Sequence, residues 1–454
     1  MGNSSTVVGI DCIAFDVPKI HLDIAILAQH RNIVAEKLIK GLGLQKMTFP
    51  DVHQDVVTFA ANATYKLLTQ EGLDPHEIDR IYVGTESGVD SSKPVASYVV
   101  SLLEQQLGKG VLRHCDVVDM TFACIGAVDA FQNCLDFIRL YPDKKAIVVA
   151  TDMAKYDLNS SGEYTQGSGA IAMLLTSNPR VLAFSGEFGV STEGVFDFFK
   201  PRRSVSKSAI TGVMENDEWQ GVLESEISIY KEQPVFDGQY SNTCYIHRIV
   251  DAYMHYKQIS HQDGVLHQQW TNILMHLPYA YQGRRTFVEI FAADHETIIL
   301  DETRRAEQLK EMVKSTEYLD LVQTKIAPSE IASSQVGNMY TGSIFLGLLS
   351  TLCHHAAVQP ALEGAKMGFI AYGSGSKAKV FEGEVQANWL QMIQKSNLFE
   401  ILSASHALDF ETYIRLHTKM QKSSILPPSN EFVLDYIETE NPVLLGARYY
   451  KYVA

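Results

Sequence analysis

The sequence predicts an α/β fold in which helices cover the faces of buried sheets. In the first half of the chain, short apolar runs alternate with segments whose apolar residues recur at helical spacing. The runs are rich in β-branched residues and end in small or turn-forming residues, as IDRIYVGT at 78–85 does, which is typical of buried strands. Strands separated by helices of this length favour a sheet that is covered on both faces.

The predicted elements alternate regularly in the first half of the chain and less regularly in the second. Strands are predicted at 6–16, 78–85, 115–120, 145–153, 169–176, 271–276 and 368–373, and helices at 51–71, 92–108, 124–139, 244–258, 301–323 and 342–356. Residues 202–232 are polar and mixed in pattern, so we interpret them as an inserted excursion outside the core. We predict two α/β halves, residues 1–180 and 181–454, with this insertion in the second half.

Composition limits the classes of function. The chain has 454 residues, of which 46% are hydrophobic and 20% charged, so it can bury a large core. Its formal net charge of −15 argues against a nucleic-acid partner, which needs a basic face for phosphates. The six cysteines form no CxxC pair, which favours a reducing cytosol over a disulfide framework or a metal site. We expect a cytoplasmic protein with no membrane span and no signal peptide.

One cysteine lies where a predicted strand turns into a predicted helix. The strand CDVVDM at 115–120 leads into Thr-Phe-Ala-Cys, and the following helix has apolar residues on one side. Unpaired N–H groups at a helix N-terminus favour a thiolate, and cysteine pKa values there can fall to roughly 3.5–7.5. Cys124 is a candidate nucleophile with an expected low thiol pKa, although a buried core cysteine fits the same pattern.

Two further candidates lie at the ends of predicted strands. His276 closes the strand TNILMH and is followed by Leu277 and Pro278, so its imidazole is expected to project from the strand end. Glu86 follows a strand within GTESGVD, among glycines that allow close backbone approach. A nucleophilic cysteine needs a base and groups that stabilise charge, which these residue types can provide. Taken singly, each also fits a structural histidine or an exposed loop glutamate.

Six segments together resemble the 3-hydroxy-3-methylglutaryl-CoA synthase family and occur in the family's order. They are VGTESGVDSSKP (83–94), TDMAKYDLNSSGEYTQGSGAIAML (151–174), FDFFKP (196–201) with PVFDGQYSNTCY (234–245), HLPYAYQGRR (276–285), VGNMYTGSIFLGLLS (336–350) and AYGSGSKAKVF (371–381). The match covers nearly the whole chain and is closest to the bacterial branch. The resemblance implies a thiolase fold with two similar α/β halves in a layered αβαβα core. The first half would carry Glu86 and Cys124, and the second His276 and Asn338.

The resemblance also implies an acyltransferase and assigns roles to the site residues. Cys124 would take the acetyl group of acetyl-CoA, His276 would assist thiolate formation and bind the acetoacetyl thioester, and Glu86 would be the general acid/base of carbon–carbon bond formation. Backbone N–H groups near Cys124 and Ser343 would stabilise the thioester oxyanion. The acyl pocket would be shaped by Asn338, Tyr372, Thr165, Asp152 and Tyr156, and the coenzyme A phosphates would contact Lys200, Arg284 and Arg285. The product would be 3-hydroxy-3-methylglutaryl-CoA, in mevalonate and isoprenoid precursor synthesis.

The chain departs from the family pattern at two positions. Ile125 replaces the tyrosine that follows the nucleophile in the family, so the aromatic packing beside Cys124 is lost or supplied elsewhere. Tyr281 replaces a family lysine, which removes one expected coenzyme A contact. Arg284 and Arg285 stand where the bacterial branch has paired lysines.

Three other functions fit the same residues. A related enzyme would perform this condensation on a β-ketoacyl chain bound to a carrier protein, as in polyketide β-branching. An initiating ketoacyl synthase would use Cys-His-Asn without an essential glutamate, and a structural homologue would not be catalytic. For the synthase, the expected partners are acetyl-CoA, acetoacetyl-CoA and a second copy of the chain in a homodimer. No cofactor, metal, nucleic acid or membrane is expected.

Overall fold

The computed structural model describes residues 7–214, 216–295, 303–358 and 361–454, and its central feature is a ten-stranded sheet. The strands of the chain are β1 (Val8–Asp16), β2 (Ile20–Asp23), β3 (Lys46–Thr48), β4 (Arg80–Gly84), β5 (Asp116–Met120), β6 (Ala146–Ala154), β7 (Gly167–Ser177), β8 (Leu182–Phe184), β9 (Gly189–Thr192), β10 (Phe198–Phe199), β11 (Arg203–Ser206), β12 (Glu226–Ile229), β13 (Val235–Phe236), β14 (Asn272–Met275), β15 (Lys366–Gly373), β16 (Lys377–Val385), β17 (His406–Ala407), β18 (Glu431–Ile437) and β19 (Arg448–Val453). The central sheet has the order β14-β15-β16-β8-β1-β7-β6-β4-β5, and β9 also pairs with β16.

The two ends of the central sheet repeat one pattern of strand directions. At one end β4 is parallel to β6, β6 is antiparallel to β7, and β7 is antiparallel to β1. At the other end β14 is parallel to β15, β15 is antiparallel to β16, and β16 is antiparallel to both β8 and β9. Such a repetition is expected of a duplicated fold. The boundary between the halves at residue 180 stays a prediction.

Helices cover both faces of the sheet. They are α1 (Ile24–His30), α2 (Ala35–Leu42), α3 (Val56–Gln70), α4 (Val95–Leu107), α5 (Gly126–Leu140), α6 (Lys207–Thr211), α7 (Gly238–Ile259), α8 (Gln282–Asp294), α9 (Arg305–Met312), α10 (Thr316–Leu321), α11 (Ala327–Val336), α12 (Ser343–Val358), α13 (Trp389–Ile393), α14 (Leu398–Ser403) and α15 (Phe410–His417). In the first half α3 and α5 pack on the sheet, and in the second half α7 and α12 do so. α5 and α12 meet inside the molecule, where the ring centroids of Phe131 and Phe345 lie 5.7 Å apart. The mixed α/β architecture predicted from the sequence is confirmed.

The predicted helix at 301–323 is wrong as a single element. Its first two residues lie outside the described residues, and the rest is divided between α9 and α10. The hydroxyl of Ser315 accepts a hydrogen bond from the N–H of Tyr318 (3.2 Å), so this serine caps a new helix. β16 is absent from the predicted elements, although it lies in the central sheet.

The predicted excursion forms a small unit outside the central sheet. β11 and β12 pair antiparallel within it, and α6 packs beside them. Lys207 is fully buried there, and its Nζ donates hydrogen bonds to the carbonyl oxygens of Asp217 (2.8 Å) and Val222 (3.3 Å). These hydrogen bonds offset the cost of burying the side-chain nitrogen and join α6 to the segment that follows it.

The helical segment Tyr340–Val358, which includes α12, is long and apolar enough to cross a membrane by length and composition alone. Most of this segment is buried inside the molecule. A buried helix that is apolar all round passes the same test, so the segment is explained by its place in the core.

Candidate active site

Cys124 lies in the turn between β5 and α5. Ala123, just before it, has a φ of 40°. Residues with a side chain rarely adopt this left-handed region, and here it forms the tight turn. Gly126 starts the helix against the end of β5, since a Cβ atom there would lie 2.6 Å from the carbonyl oxygen of Met120. The turn and this close approach together fix the direction of the Cys124 side chain.

The thiol of Cys124 is buried and faces a carboxylate. Cys124 is 9% exposed, and its Sγ lies 3.7 Å from Oε2 of Glu86. Burial, and then the negative charges of Glu86 and Asp152, raise the pKa of the Cys124 thiol well above its ordinary value. The expected low thiol pKa is therefore wrong, because burial and two carboxylates outweigh the helix N-terminus. A neighbouring group must take the thiol proton as a thioester forms.

A second carboxylate holds the backbone of Glu86 in place. Asp152 is fully buried and accepts hydrogen bonds from the N–H of Glu86 (2.9 Å), the hydroxyl of Ser87 (2.8 Å) and the hydroxyl of Thr341 (2.5 Å). Burial, and then the charge of Glu86, raise the pKa of Asp152 to about 7, although these donors oppose the shift. Asp152 thus joins the loop after β4 to the segment before α12. Asp152 is not among the residues that line the acyl cavity, and its predicted part in shaping that cavity stays a prediction.

His276 lies just after β14 with a neutral imidazole. It is 2% exposed, and burial lowers its pKa to about 3. Its Nδ1 lies 2.5 Å from the hydroxyl oxygen of Ser343, which is the first residue of α12. Its carbonyl oxygen accepts a hydrogen bond from the hydroxyl of Tyr245 at 2.8 Å. These contacts orient the ring and leave Nε2 as the nitrogen available to a substrate.

Cys124 and His276 line one cavity of about 490 Å³. Its walls include five further predicted site residues, namely Tyr156, Thr165, Arg285, Asn338 and Tyr372. The carbonyl oxygen of Thr165 accepts a hydrogen bond from the N–H of Asn338 at 2.9 Å, which joins the two halves of the chain at this wall. A cavity of this volume, lined by aromatic rings and a few polar groups, suits a short acyl chain. Among the described residues, no group of three or more His, Cys, Asp or Glu could hold a metal ion.

Lys200 lines a second cavity, of about 470 Å³, and not the one that contains Cys124. Its Nζ donates a hydrogen bond to Oε1 of Glu86 at 2.9 Å. The two side chains are almost fully buried, with exposed fractions of 12% for Lys200 and 6% for Glu86. The ammonium is therefore paired inside the protein, and the predicted contact between Lys200 and the coenzyme A phosphates stays a prediction.

Two family models match the chain, "Hydroxymethylglutaryl-coenzyme A synthase N terminal" over residues 4–180 and "Hydroxymethylglutaryl-coenzyme A synthase C terminal" over residues 226–424. The chain belongs to the hydroxymethylglutaryl-CoA synthase family. The hydroxymethylglutaryl-CoA synthase of Enterococcus faecalis is 34% identical over 406 residues, which cover 89% of this chain and 90% of that protein. The family resemblance inferred from the motifs is confirmed.

Solved structures of hydroxymethylglutaryl-CoA synthases share the fold. MvaS in complex with 3-hydroxy-3-methylglutaryl coenzyme A has a TM-score of 0.82 and 29% identity, covering 99% of this chain and 100% of that chain. The curacin biosynthetic pathway HMG synthase in complex with holo donor-ACP has a TM-score of 0.79 and 19% identity, covering 98% and 100%. The second likeness concerns the fold alone. The fold is the thiolase fold expected of the hydroxymethylglutaryl-CoA synthase family.

Of the two arginines predicted to contact coenzyme A in this synthase-family chain, Arg285 lines the cavity and Arg284 does not. The Nε of Arg284 donates a hydrogen bond to Oε1 of the buried Glu330 at 2.9 Å. Its guanidinium also lies 3.8 Å from the ring centroid of Tyr281, the residue that replaces a family lysine. Arg284 is thus engaged within the protein, and its predicted role as a phosphate contact stays a prediction. The guanidinium of Arg285 lies 5.9 Å from the ring centroid of Tyr279.

The other departure from the synthase family, Ile125, packs into the core. Ile125 is fully buried, and a Cβ atom on Gly373 would lie 2.7 Å from its Cγ2. Its side chain therefore packs against the end of β15. Tyr156 and Tyr340 share one apolar cluster with Cys124, so aromatic packing beside the nucleophile is supplied from elsewhere in the chain.

Two side chains that the sequence analysis does not single out complete the site. Asp197 accepts hydrogen bonds from the hydroxyl of Tyr372 (2.5 Å) and the N–H of Gly375 (2.7 Å). Tyr340 is 1% exposed and lines the cavity with Cys124. Both residues lie within motifs of the hydroxymethylglutaryl-CoA synthase resemblance, FDFFKP and VGNMYTGSIFLGLLS. Their position in these motifs is the sequence feature that could have identified them.

Proposed function

We propose that the chain condenses acetyl-CoA with acetoacetyl-CoA and water to give 3-hydroxy-3-methylglutaryl-CoA and free CoA. The observation that carries the proposal is the contact of 3.7 Å between Cys124 Sγ and Glu86, beside a cavity that His276 also lines. Membership of the hydroxymethylglutaryl-CoA synthase family supports the choice of substrates.

The first step transfers the acetyl group to Cys124. The sulfur attacks the carbonyl carbon of acetyl-CoA, a new carbon–sulfur bond forms, and the bond to CoA breaks. The thiol proton leaves by way of His276, whose imidazole is neutral at pH 7 and can accept it, and CoA departs as a thiol. Backbone N–H groups near Cys124 and Ser343 would hold the developing oxyanion.

The second step forms the carbon–carbon bond. Glu86 removes a proton from the methyl group of the acetyl thioester, and the resulting enolate attacks the ketone carbon of acetoacetyl-CoA. The alkoxide that forms takes a proton from Glu86 and becomes the tertiary alcohol. Water then cleaves the thioester to Cys124, which releases the carboxylate product and restores the thiol.

Mass spectrometry after incubation with acetyl-CoA tests the assignment of the nucleophile. We expect one acetyl group on Cys124 in the wild type and none in Cys124→Ser. Glu86→Gln should still be acetylated, while condensation falls by about 10²–10⁴-fold, the usual contribution of general acid/base catalysis. Acetylation elsewhere, or full condensation activity in Glu86→Gln, would contradict the proposal.

A carrier-protein substrate is the alternative to free acetoacetyl-CoA. Arg285 at the cavity suits the phosphate of either substrate, and membership of the hydroxymethylglutaryl-CoA synthase family favours coenzyme A. Turnover should be compared between acetoacetyl-CoA and an acetoacetyl carrier protein at equal concentrations. Activity with the carrier protein alone would replace the first choice with the β-branching reaction.

The proposal extends to the setting of the reaction. We assign the chain to the cytoplasm, to the supply of mevalonate for isoprenoid precursors, and to a homodimer. The free edge of β5 at the end of the central sheet supports association with a second copy.

A further inference from the structure

The side chain of Glu86 is held between a thiol and an ammonium. Its Oε2 lies 3.7 Å from Cys124 Sγ, and its Oε1 accepts a hydrogen bond of 2.9 Å from Lys200 Nζ. Lys200 is 114 residues away in sequence and follows the short strand β10. One carboxylate oxygen is therefore fixed by the lysine, while the other is presented to the nucleophile.

The ammonium of Lys200 is fixed in turn by an aromatic ring. Its Nζ lies 4.5 Å from the ring centroid of Tyr340, a cation–π contact that is strengthened by burial. The Tyr340 hydroxyl faces the phenol of Tyr156 and, among the described residues, forms no hydrogen bond to Glu86. The ring thus restrains the ammonium without competing with Glu86 for a hydrogen bond.

The ion pair keeps Lys200 charged in a buried place. Burial disfavours the ammonium, but the adjacent carboxylate of Glu86 outweighs this and raises the pKa of Lys200 above its ordinary value. Breaking the pair would leave an uncompensated buried charge, so the two side chains are expected to stay together. Without the ion pair, rotation about the two or three side-chain bonds of Glu86 would move its carboxylate away from the acetyl methyl group.

We propose that Lys200 is a positioning residue that holds the Glu86 carboxylate over the acetylated cysteine for carbon–carbon bond formation. The inference rests on the proposed function, because it assumes that Glu86 handles the proton of the acetyl group. It assigns Lys200 to the condensation step and not to the binding of either CoA thioester.

Lys200→Met and Lys200→Arg test this role, with acetylation and condensation measured separately. Lys200→Met should acetylate Cys124 within about threefold of the wild type, while condensation falls about 100-fold, the scale of a misplaced catalytic group. Lys200→Arg retains the charge, so its condensation rate should be at least tenfold higher than that of Lys200→Met. The loss should lie in kcat, with the KM for acetoacetyl-CoA changed by less than threefold.

Lys257→Met is the matched control. Lys257 pairs with Asp294 at 2.8 Å, and its side chain is 14% exposed, so the variant removes a similarly buried ion pair. Lys257 lines neither of the two cavities. Equal loss of condensation in both methionine variants would overturn the proposal, since a general loss of stability would then explain both. If Lys200→Met does not fold by circular dichroism, Lys200→Gln takes its place.

Pantetheine thioesters, which lack the nucleotide phosphates, separate positioning from phosphate binding. With acetyl- and acetoacetyl-pantetheine, the Lys200→Met defect should be as large as with the CoA thioesters. A defect seen only with the CoA thioesters would overturn the proposal in favour of a phosphate contact. Condensation by Lys200→Met within threefold of the wild type would also overturn it. Absence of label on Cys124 in the wild type would instead contradict the proposed function itself.

Discussion

At the scale of single residues, burial keeps both Cys124 and His276 in their neutral forms. It raises the pKa of the thiol and lowers that of the imidazole to about 3. The pair therefore differs from a preformed thiolate–imidazolium pair, in which the nucleophile is already charged. Proton transfer has to accompany acetyl transfer, so the orientation of His276 is expected to limit that step.

Ser343→Ala tests how far that orientation depends on one hydroxyl. The variant removes the contact of 2.5 Å to Nδ1 of His276. Loss of one hydrogen bond costs about 1 kcal/mol, so the rate of Cys124 acetylation should fall about 5–10-fold in stopped-flow measurements. Ser350→Ala is the control, because it removes another buried hydroxyl of α12 that bonds a backbone oxygen (2.7 Å) away from the cavity. An equal effect of both variants would contradict the orienting role.

The pH dependence of stability tests the burial of His276. An imidazole with a pKa of 6.5 when unfolded and about 3 when folded takes up its proton mainly in the unfolded chain as the pH falls below 6.5. At pH 5 this destabilises the folded protein by about 2 kcal/mol, at 1.36 kcal/mol per pH unit. His276→Asn should therefore lose about 2 kcal/mol less than the wild type between pH 7 and pH 5 in urea unfolding. Equal losses would mean that the imidazole is protonated in the folded protein.

The sequence predicts which residue types perform the chemistry of the site better than it predicts the contacts between them. Cys124 and His276 lie at strand ends that could be predicted from local pattern, and both line one cavity. The pairing of Lys200 with Glu86 spans 114 residues, so no local pattern contains it. The pKa of Cys124 was predicted in the wrong direction, because the helix N-terminus is visible in the sequence while the carboxylates around the thiol are not.

At the scale of elements, the end of β5 and the start of α5 are in direct contact. Gly126→Ala would place a Cβ atom 2.6 Å from the carbonyl oxygen of Met120, so strand and helix must move apart. We expect a loss of about 1–3 kcal/mol in the free energy of unfolding and at least a tenfold slower acetylation of Cys124. Urea unfolding and acetylation kinetics measure the two effects.

Gly347→Ala provides the comparison for this helix-start substitution. Gly347 is a buried glycine of α12 whose added Cβ atom would lie 3.5 Å from its nearest neighbour, an ordinary contact. Alanine there should be neutral or stabilising, since glycine weakens helices. Equal behaviour of the two alanine variants would show that the contact with Met120 does not fix the nucleophile.

Elements with a strong apolar period are predicted well, and elements defined by tertiary contacts are not. α3 and β6 have continuous apolar patterns and lie within two residues of the expected ends, apart from the start of α3. β16 follows β15 after a short turn and contains two lysines and two glutamates, which conceal a strand whose apolar side chains are buried. The helix predicted at 301–323 ends early because Ser315 caps a new helix, a contact that the charge pattern does not reveal.

At the scale of the whole molecule, the central sheet ends at β5, whose outer edge pairs with no other described strand. β5 pairs with β4 on one side only, and four of its five residues are half-buried. Val117 and Val118 are among them and contact the main core. Exposed apolar edges of this kind are usually covered, and a second copy of the chain would extend the sheet across a twofold axis.

Val118→Lys tests this edge as the site of association. Two lysines brought together across a twofold axis would repel each other. If the proposed dimer forms through this edge, sedimentation velocity should show a dimer for the wild type and a monomer for Val118→Lys. Val443→Lys is the control, because Val443 is 89% exposed in the turn between β18 and β19 and offers a different apolar surface. A dimer that survives Val118→Lys but dissociates in Val443→Lys would place the interface at that turn. Because β5 leads directly into Cys124, dissociation through Val118→Lys should also slow acetylation, whereas dissociation at the distant turn should leave it unchanged.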